Sequence, residues 1–85
     1  MAGFNYQFTS NARKRLKKLP IDLQRRIVKK IKYFSSTNPL VYAEKLSDRQ
    51  SGEFRFRVGN YWVIFDLEDE LITVLDVGHR REIYR

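Results

Sequence analysis

The chain has 85 residues, a net charge of +7 and no cysteine, so residues 1–85 are expected to form one small domain without disulfides or thiolate metal sites. No apolar run approaches the roughly 20 residues that a membrane-spanning helix requires, and the N-terminus lacks the basic start and apolar stretch of a signal peptide. We therefore expect a cytoplasmic protein with no membrane role.

Alternating aromatic and polar residues predict a first strand over residues 4–9. Ser10 is the expected N-cap of a helix over residues 11–18. Pro20 ends that helix and opens a second one over residues 21–34. The apolar residues of the second helix step by three or four along one stripe; they are Leu23, Ile27, Ile31 and Phe34. These two helices are expected to form a hairpin that covers a sheet.

Most of the positive charge lies in this helical part. Residues 1–34 contain ten Lys or Arg and one acid, a net charge of +9, whereas residues 35–85 contain seven Lys or Arg and nine acids, a net charge of −2. Such asymmetry favours a polyanionic partner, although a solvated helical surface is the alternative. The helix cations are expected to form a solvated or phosphate-steering surface; they are Arg13, Lys14, Lys17, Lys18, Arg25, Lys29 and Lys32.

Residues 35–52 are expected to be irregular, with a short helical turn or flap around Leu40, Tyr42 and Leu46. Residues 54–65 then predict a hairpin with a type II′ turn at Gly59-Asn60, in which Val58 pairs with Tyr61 and the Phe and Val residues share the core face.

The acidic segment 66–70 is the predicted turn before a third strand over residues 71–77, whose apolar character predicts a central strand covered on both faces. The order of elements predicts an α+β fold: an N-terminal strand, a helical hairpin and a three-stranded antiparallel meander in a mostly antiparallel four-stranded sheet.

The predicted hairpin register places Arg55, Arg57 and Trp62 together on the face opposite the core. The arginines suit phosphate binding, with ordinary exposed strand cations as the alternative. Trp62 has three interpretations: a platform on which a base stacks, a cation–π partner of Arg57, or a partly buried aromatic residue.

The C-terminal segment adds His79, Arg80, Arg81 and Tyr84. His79 is the only histidine, so a multi-histidine metal site is excluded, and no cofactor is expected. Without a metal, RNA can still be cut by its own 2′-OH. The protein must then remove the 2′ proton, stabilise the charged phosphorane and protonate the leaving oxygen. Arginines suit the second task, and a phenol or an imidazole suits the first and third.

Two segments carry a family resemblance: Phe-Arg-Phe-Arg-Val-Gly-Asn-Tyr over residues 54–61 and Val-Gly-His-Arg-Arg-Glu-Ile-Tyr over residues 77–84. With the preceding strand and basic helical hairpin, they resemble the RelE/ParE superfamily of bacterial and archaeal toxins over nearly the whole chain. The second segment resembles the RelE branch, which cleaves mRNA in the ribosomal A site. The ParE branch poisons DNA gyrase instead.

The resemblance implies a metal-independent endoribonuclease with Arg57 and Arg55 contacting phosphate, Arg80 stabilising the transition-state charge and Tyr84 taking the 2′ proton. His79 stands where the family often has a lysine and is expected to donate a proton. Arg81, Lys14, Lys17, Lys18 and Trp62 complete the expected RNA-binding set. The family usually has an arginine at position 62; Trp62 therefore implies reduced activity relative to a Trp62→Arg variant, or a subgroup that stacks a base on this ring.

The resemblance also implies partners: the small ribosomal subunit with its mRNA, and a cognate antitoxin encoded beside the toxin that binds through an acidic amphipathic segment. That segment is expected to lie across the basic helices or the Arg55 and Arg57 face, in a higher-order complex. Two alternatives remain at this point, namely a gyrase inhibitor of the same fold without nuclease activity and a non-catalytic RNA-binding module.

Overall fold

The computed structural model describes residues 3–46 and 52–83. In chain order the described elements are β1 (Asn5–Phe8), α1 (Ser10–Lys17), α2 (Ile21–Ser36), α3 (Pro39–Tyr42), β2 (Ala43–Lys45), β3 (Phe54–Val58), β4 (Tyr61–Glu68), β5 (Leu71–His79) and α4 (Arg80–Ile83). The α+β class and the order of the predicted elements are confirmed. No helix within these described ranges is long and apolar enough to cross a membrane.

The strands form one five-stranded sheet in the order β1-β5-β4-β3-β2. β1 pairs with β5 in parallel, and the other three pairs are antiparallel, as expected for a meander joined by an N-terminal strand. The fifth strand, β2, was not predicted. It is only three residues long and pairs along β3, so its strand conformation depends on its neighbour rather than on a local pattern.

The predicted hairpin register is confirmed in every pair, from Phe54 opposite Phe65 to Val58 opposite Tyr61. Gly59 has a φ of 61°, and among the described residues other than glycine only Asp69 has a positive φ. A positive φ at the first turn position alone is the type II′ geometry.

The core lies between the helices and one face of the sheet. Ala12, Ile27, Ile31 and Phe34 pack against the buried strand residues Phe56, Val63, Phe65, Ile72, Val74 and Val77. Three phenylalanine rings join helix to sheet: the centroids of Phe34 and Phe56 are 4.5 Å apart, and those of Phe56 and Phe65 are 4.3 Å apart. Each such pair adds about 0.5–1.5 kcal/mol beyond its buried area.

Two local predictions at the chain's turns were wrong. The N-cap of α1 is Thr9, whose hydroxyl accepts the Ala12 N–H at 3.1 Å, and Ser10 is the first helical residue. The acidic turn is shorter than expected because β4 continues through Glu68, leaving a tight turn in which Asp69 has a φ of 56°.

β5 is central in the sheet, and it is covered fully on the helix side but only partly on the other face. Ile72, Val74 and Val77 are buried, whereas its intervening side chains are half-buried. The alternation of buried positions along β5 is also interrupted. The pairing with β4 shifts between Ile64 and Phe65, which leaves Leu75 as an extra residue in β5. The core-facing residues Val74 and Val77 are therefore three positions apart in the chain instead of two.

Candidate functional site

Two of the predicted arginines are anchored to consecutive residues of the β3–β4 turn. The Nε of Arg57 donates to the Gly59 carbonyl at 3.0 Å, and the backbone N–H of Arg80 donates to the Asn60 carbonyl at 2.9 Å. Because β3 ends, β4 begins and β5 ends at the same end of the sheet, α4 starts directly beside this turn. Both arginines are exposed there.

His79 lies next to Arg80 at the end of β5. It pairs across the ladder with Tyr61, and the two ring centroids are 5.3 Å apart in an edge-to-face arrangement. The backbone N–H of Arg81 donates to His79 Nδ1 at 3.2 Å. Since Nδ1 is an acceptor, the neutral imidazole carries its proton on Nε2. We call Arg57, His79, Arg80 and Arg81 the turn site.

A cleft of about 320 Å³ opens beside His79, between the end of α1 and the end of β5. It is lined by Arg15, Lys18, Leu19, Tyr61, Val77, Gly78 and His79. Arg15 fixes α1 over the strand, since its Nε is 3.2 Å from both the Val77 carbonyl and Asp76 Oδ1. Lys18 is exposed at the end of the helix and adds a cation to the cleft.

The turn site is reached from both faces of the sheet. His79 and Tyr61 lie on the helix-covered face, two residues from the buried Val77 and Val63 respectively. Arg57 lies on the opposite face and curls toward the turn through its bond to Gly59. The residues predicted for one surface therefore meet around the end of the sheet rather than on a single face.

Arg55 and Trp62 form a structural pair. The guanidinium carbon of Arg55 is 4.1 Å from the centroid of the Trp62 ring, and its Nη2 is 2.8 Å from Glu44 Oε1. The expected cation–π contact therefore exists, but with Arg55 instead of Arg57. Trp62 is only 7% exposed, so the prediction of an open stacking platform is wrong: Arg55 covers the ring.

Three other predicted residues lie apart from the turn site or outside the described chain. Lys14 and Lys17 are exposed on α1 and do not line the cleft. Tyr84 lies outside the described residues. Within residues 3–46 and 52–83, no three His, Asp or Glu side chains gather in a group that could hold a metal ion.

Sequence reasoning missed Tyr61, Arg15 and Glu44. The hairpin register assigned Tyr61 to the core face. Its pair with Val58 is the last one before the turn, so Tyr61 is only half-buried. Arg15 was one cation among many in a basic helix, and its partner Asp76 lies on a distant strand. Glu44 belongs to β2. Because that strand was not predicted, no feature of the sequence indicated that Glu44 pairs with Arg55.

Comparison with known proteins agrees with the fold and with the family resemblance. A family model described as "ParE toxin of type II toxin-antitoxin system, parDE" matches residues 6–84. The chain is 34% identical over 84 residues to Toxin RelG of Mycobacterium tuberculosis, an alignment that covers 96% of this chain and 97% of the relative.

Solved structures give the same picture. The RelBE2 toxin–antitoxin complex of Mycobacterium tuberculosis contains a chain that superposes with a TM-score of 0.83 and 30% identity, over 94% of each chain. The RelB–RelE antitoxin–toxin complex of Methanococcus jannaschii contains one with a TM-score of 0.70 and 30% identity, over 91% of this chain and 93% of that one.

Proposed function

Since this chain belongs to the ParE toxin family of type II toxin–antitoxin systems, within the RelE/ParE superfamily, we propose that it is a ribosome-dependent endoribonuclease that cleaves mRNA in the A site and inhibits translation. The observation that carries the proposal is the turn site, where Arg57, His79, Arg80 and Arg81 gather around one β-turn. The guanidinium of Arg57 and the backbone of Arg80 and Arg81 are placed there beside the imidazole, and guanidinium groups suit a phosphate that gains charge during a reaction.

In the proposed reaction the 2′-oxygen of one nucleotide attacks the adjacent phosphorus, and the bond from phosphorus to the 5′-oxygen of the next nucleotide breaks. Arg57 and Arg80 approach the phosphate from two elements fixed to the same turn. Their positive charges stabilise the phosphorane more than the starting diester, because the phosphorane carries an additional negative charge.

Protons must leave the 2′-OH and reach the leaving 5′-oxygen. We assign the first transfer to Tyr84, which the family resemblance implies. For the second we assign His79, which can donate a proton only as the imidazolium, with a proton on each ring nitrogen. The contact in which its Nδ1 accepts the Arg81 N–H at 3.2 Å belongs to the neutral ring. That contact must therefore open when His79 takes up the proton that it delivers to the leaving oxygen.

Two macromolecular partners accompany this proposal. A cognate antitoxin is supported by the two structural relatives, which are toxin–antitoxin complexes; we extend the association to this chain, in a higher-order complex. The small ribosomal subunit supplies the mRNA. Lys14 and Lys17 on α1, with Lys18 at its C-cap, provide cations for contact with ribosomal or messenger RNA.

The test is cleavage mapping on purified ribosomes programmed with mRNA. The wild-type chain is expected to cut the message in the A site, whereas Arg80→Ala and Tyr84→Phe are expected to cut about 10²–10³ times more slowly, as when one charge-stabilising or proton-transferring group is removed. Arg25→Ala is the control, since Arg25 is an exposed arginine on α2 outside the turn site. If the message stays intact on the ribosomes and cells that produce the protein show DNA damage, the proposal is rejected in favour of gyrase inhibition.

A further inference from the structure

Large apolar side chains are exposed together where α2 meets α3. Tyr33, Leu40, Val41 and Tyr42 are 52%, 48%, 71% and 39% exposed, and we call them the α2–α3 patch. The rings of Tyr33 and Tyr42 are 5.8 Å apart, with their hydroxyl oxygens at 3.4 Å. A grouped set of exposed apolar side chains is typical of a surface that another molecule covers.

The patch is held rigidly by the fold. Tyr42 stacks on the buried Phe34 at 4.6 Å between centroids, which connects the patch to the aromatic core. Asn38 caps α3 by accepting the Leu40 N–H at 3.1 Å, and the buried Pro39 fixes its first turn. Leu40 and Val41 are therefore presented outward by a packed element, and they need little reorganisation to bind a partner.

Cations border this surface. Arg26, Lys29 and Lys30 line a depression of about 360 Å³ together with Tyr33. The single acid among residues 1–34 is Asp22, at the opposite end of α2 from Tyr33. An apolar centre with a basic rim is complementary to a helix that carries apolar side chains on one face and carboxylates at its borders.

We propose that the α2–α3 patch is the docking surface for an acidic amphipathic segment of the antitoxin. The inference rests on the proposed function for the identity of the partner. The α2–α3 patch shares no residue with the turn site, although Arg26 of its rim extends toward the β3–β4 turn, with Nη2 4.0 Å from the position of a Cβ on Gly59. RNA is the weaker occupant, because the most exposed member is Val41 and its neighbour Leu40 is aliphatic too. Such side chains neither stack on bases nor contact phosphate, whereas they pack well against an apolar helix face.

The experiment uses the full chain and the full antitoxin encoded by the adjacent reading frame, with the dissociation constant measured by calorimetry. Val41→Glu is expected to weaken binding by tenfold or more, since it places a carboxylate at the most exposed apolar residue of the patch, which faces an acidic partner. The control is Ile21→Glu, which makes the same chemical change at a residue that is 57% exposed and lies outside the patch; we expect less than a threefold change.

A second pair of variants tests the basic rim. Lys30→Glu is expected to weaken binding and to reduce its salt dependence, whereas Lys14→Glu on α1 is expected to do neither. All four substitutions are at exposed positions, and circular dichroism with a thermal melt verifies that each variant is folded.

The outcomes separate this inference from the proposed function. Unchanged antitoxin binding by Val41→Glu, or equal loss by Ile21→Glu, would overturn the docking surface whether or not the protein cuts mRNA. We expect the Val41→Glu variant to cleave mRNA in the A site as before and to escape neutralisation by the antitoxin. Loss of cleavage with normal antitoxin binding would assign the patch to the ribosome, and a wild-type dimer that Val41→Glu dissociates would assign it to a second copy of the chain.

Discussion

The guanidinium carbon of Arg55 lies 4.1 Å from the centroid of the Trp62 ring. Arg57, two residues along the same strand, is exposed and bonds to the Gly59 carbonyl. Two arginines with the same sequence context thus differ in role. Arg55 contributes to packing on the face of the sheet opposite the helices, and Arg57 belongs to the turn site.

This contrast predicts opposite effects of two matched substitutions. Arg55→Ala removes the contact with Trp62 and the ion pair with Glu44, and we expect it to reduce the free energy of unfolding by about 1–2 kcal/mol. Arg57→Ala is expected to leave stability unchanged within about 0.5 kcal/mol and to slow mRNA cleavage. Denaturant unfolding and cleavage rates at a temperature where both variants are folded would check this; the reverse pattern would contradict the assignment.

Replacement of Trp62 by arginine is expected to destabilise the protein. Trp62 is 7% exposed, so the variant loses a large buried ring and brings a second guanidinium beside Arg55. We expect a loss of about 3 kcal/mol or more, against about 1–2 kcal/mol for Trp62→Phe, which retains an aromatic ring. Denaturant titration measures both losses. Equal or greater stability of Trp62→Arg would contradict the packing role.

The same variant tests whether Trp62 reduces activity. The family resemblance predicts faster cleavage by Trp62→Arg, and the rate must be divided by the fraction of folded protein, because the structural cost would otherwise hide a gain. A folded-molecule rate no higher than that of the wild type would mean that position 62 supplies packing in this chain and not catalytic charge.

The glycines predict a graded series of stabilities. Gly52 has a φ of 146°, and a Cβ there would lie 2.5 Å from Ile64 Cγ2, so Gly52→Ala is expected to cost about 2–3 kcal/mol. Gly59 has a φ of 61°, and a Cβ there would make only an ordinary contact, 4.0 Å from Arg26 Nη2, so Gly59→Ala is expected to cost about 1 kcal/mol. Gly3→Ala meets nothing within 4 Å and is the neutral control. Thermal melts would rank the three; a Gly52→Ala variant as stable as Gly3→Ala would refute the close approach.

The tyrosine pair of the α2–α3 patch predicts a pH effect. The hydrogen bond with Tyr33, followed by desolvation, raises the pKa of the Tyr42 phenol above its ordinary value of 10.0. The stability that this provides is complete below pH 10.0 and is lost as the pH rises through the raised pKa. Tyr33→Phe should move the Tyr42 pKa back toward its ordinary value, as measured by NMR titration of the tyrosine ring carbons. An unchanged Tyr42 titration would argue against the contact.

The sequence predicted most of the fold because its strongest signals were local. Glycine followed by asparagine determined the hairpin turn and hence the whole register between β3 and β4. β2 escaped prediction because a three-residue strand has no period of its own, and the role of Arg55 depended on Glu44 in that strand. The bulge at Leu75 likewise follows from pairing between distant residues, which no local pattern reports.

For the candidate site, sequence and family resemblance together identified the residues but not their arrangement. Arg57, His79 and Arg80 were predicted as neighbours on one surface, and they meet at the end of the sheet from both of its faces. The missing information was the position of α4, whose first N–H bonds to Asn60. That contact joins residues 20 apart in the chain and cannot be read from periodicity.

The central claim is that Arg57 and Arg80, which are anchored to the same β3–β4 turn, act on one phosphate. A double-mutant cycle of Arg57→Ala and Arg80→Ala, measured as single-turnover cleavage of A-site mRNA, tests it most directly. Groups that act as a unit are not additive, so we expect the double variant to be far faster than the product of the two single losses predicts. Strictly multiplicative losses would contradict the claim, since they would mean that the two arginines act independently.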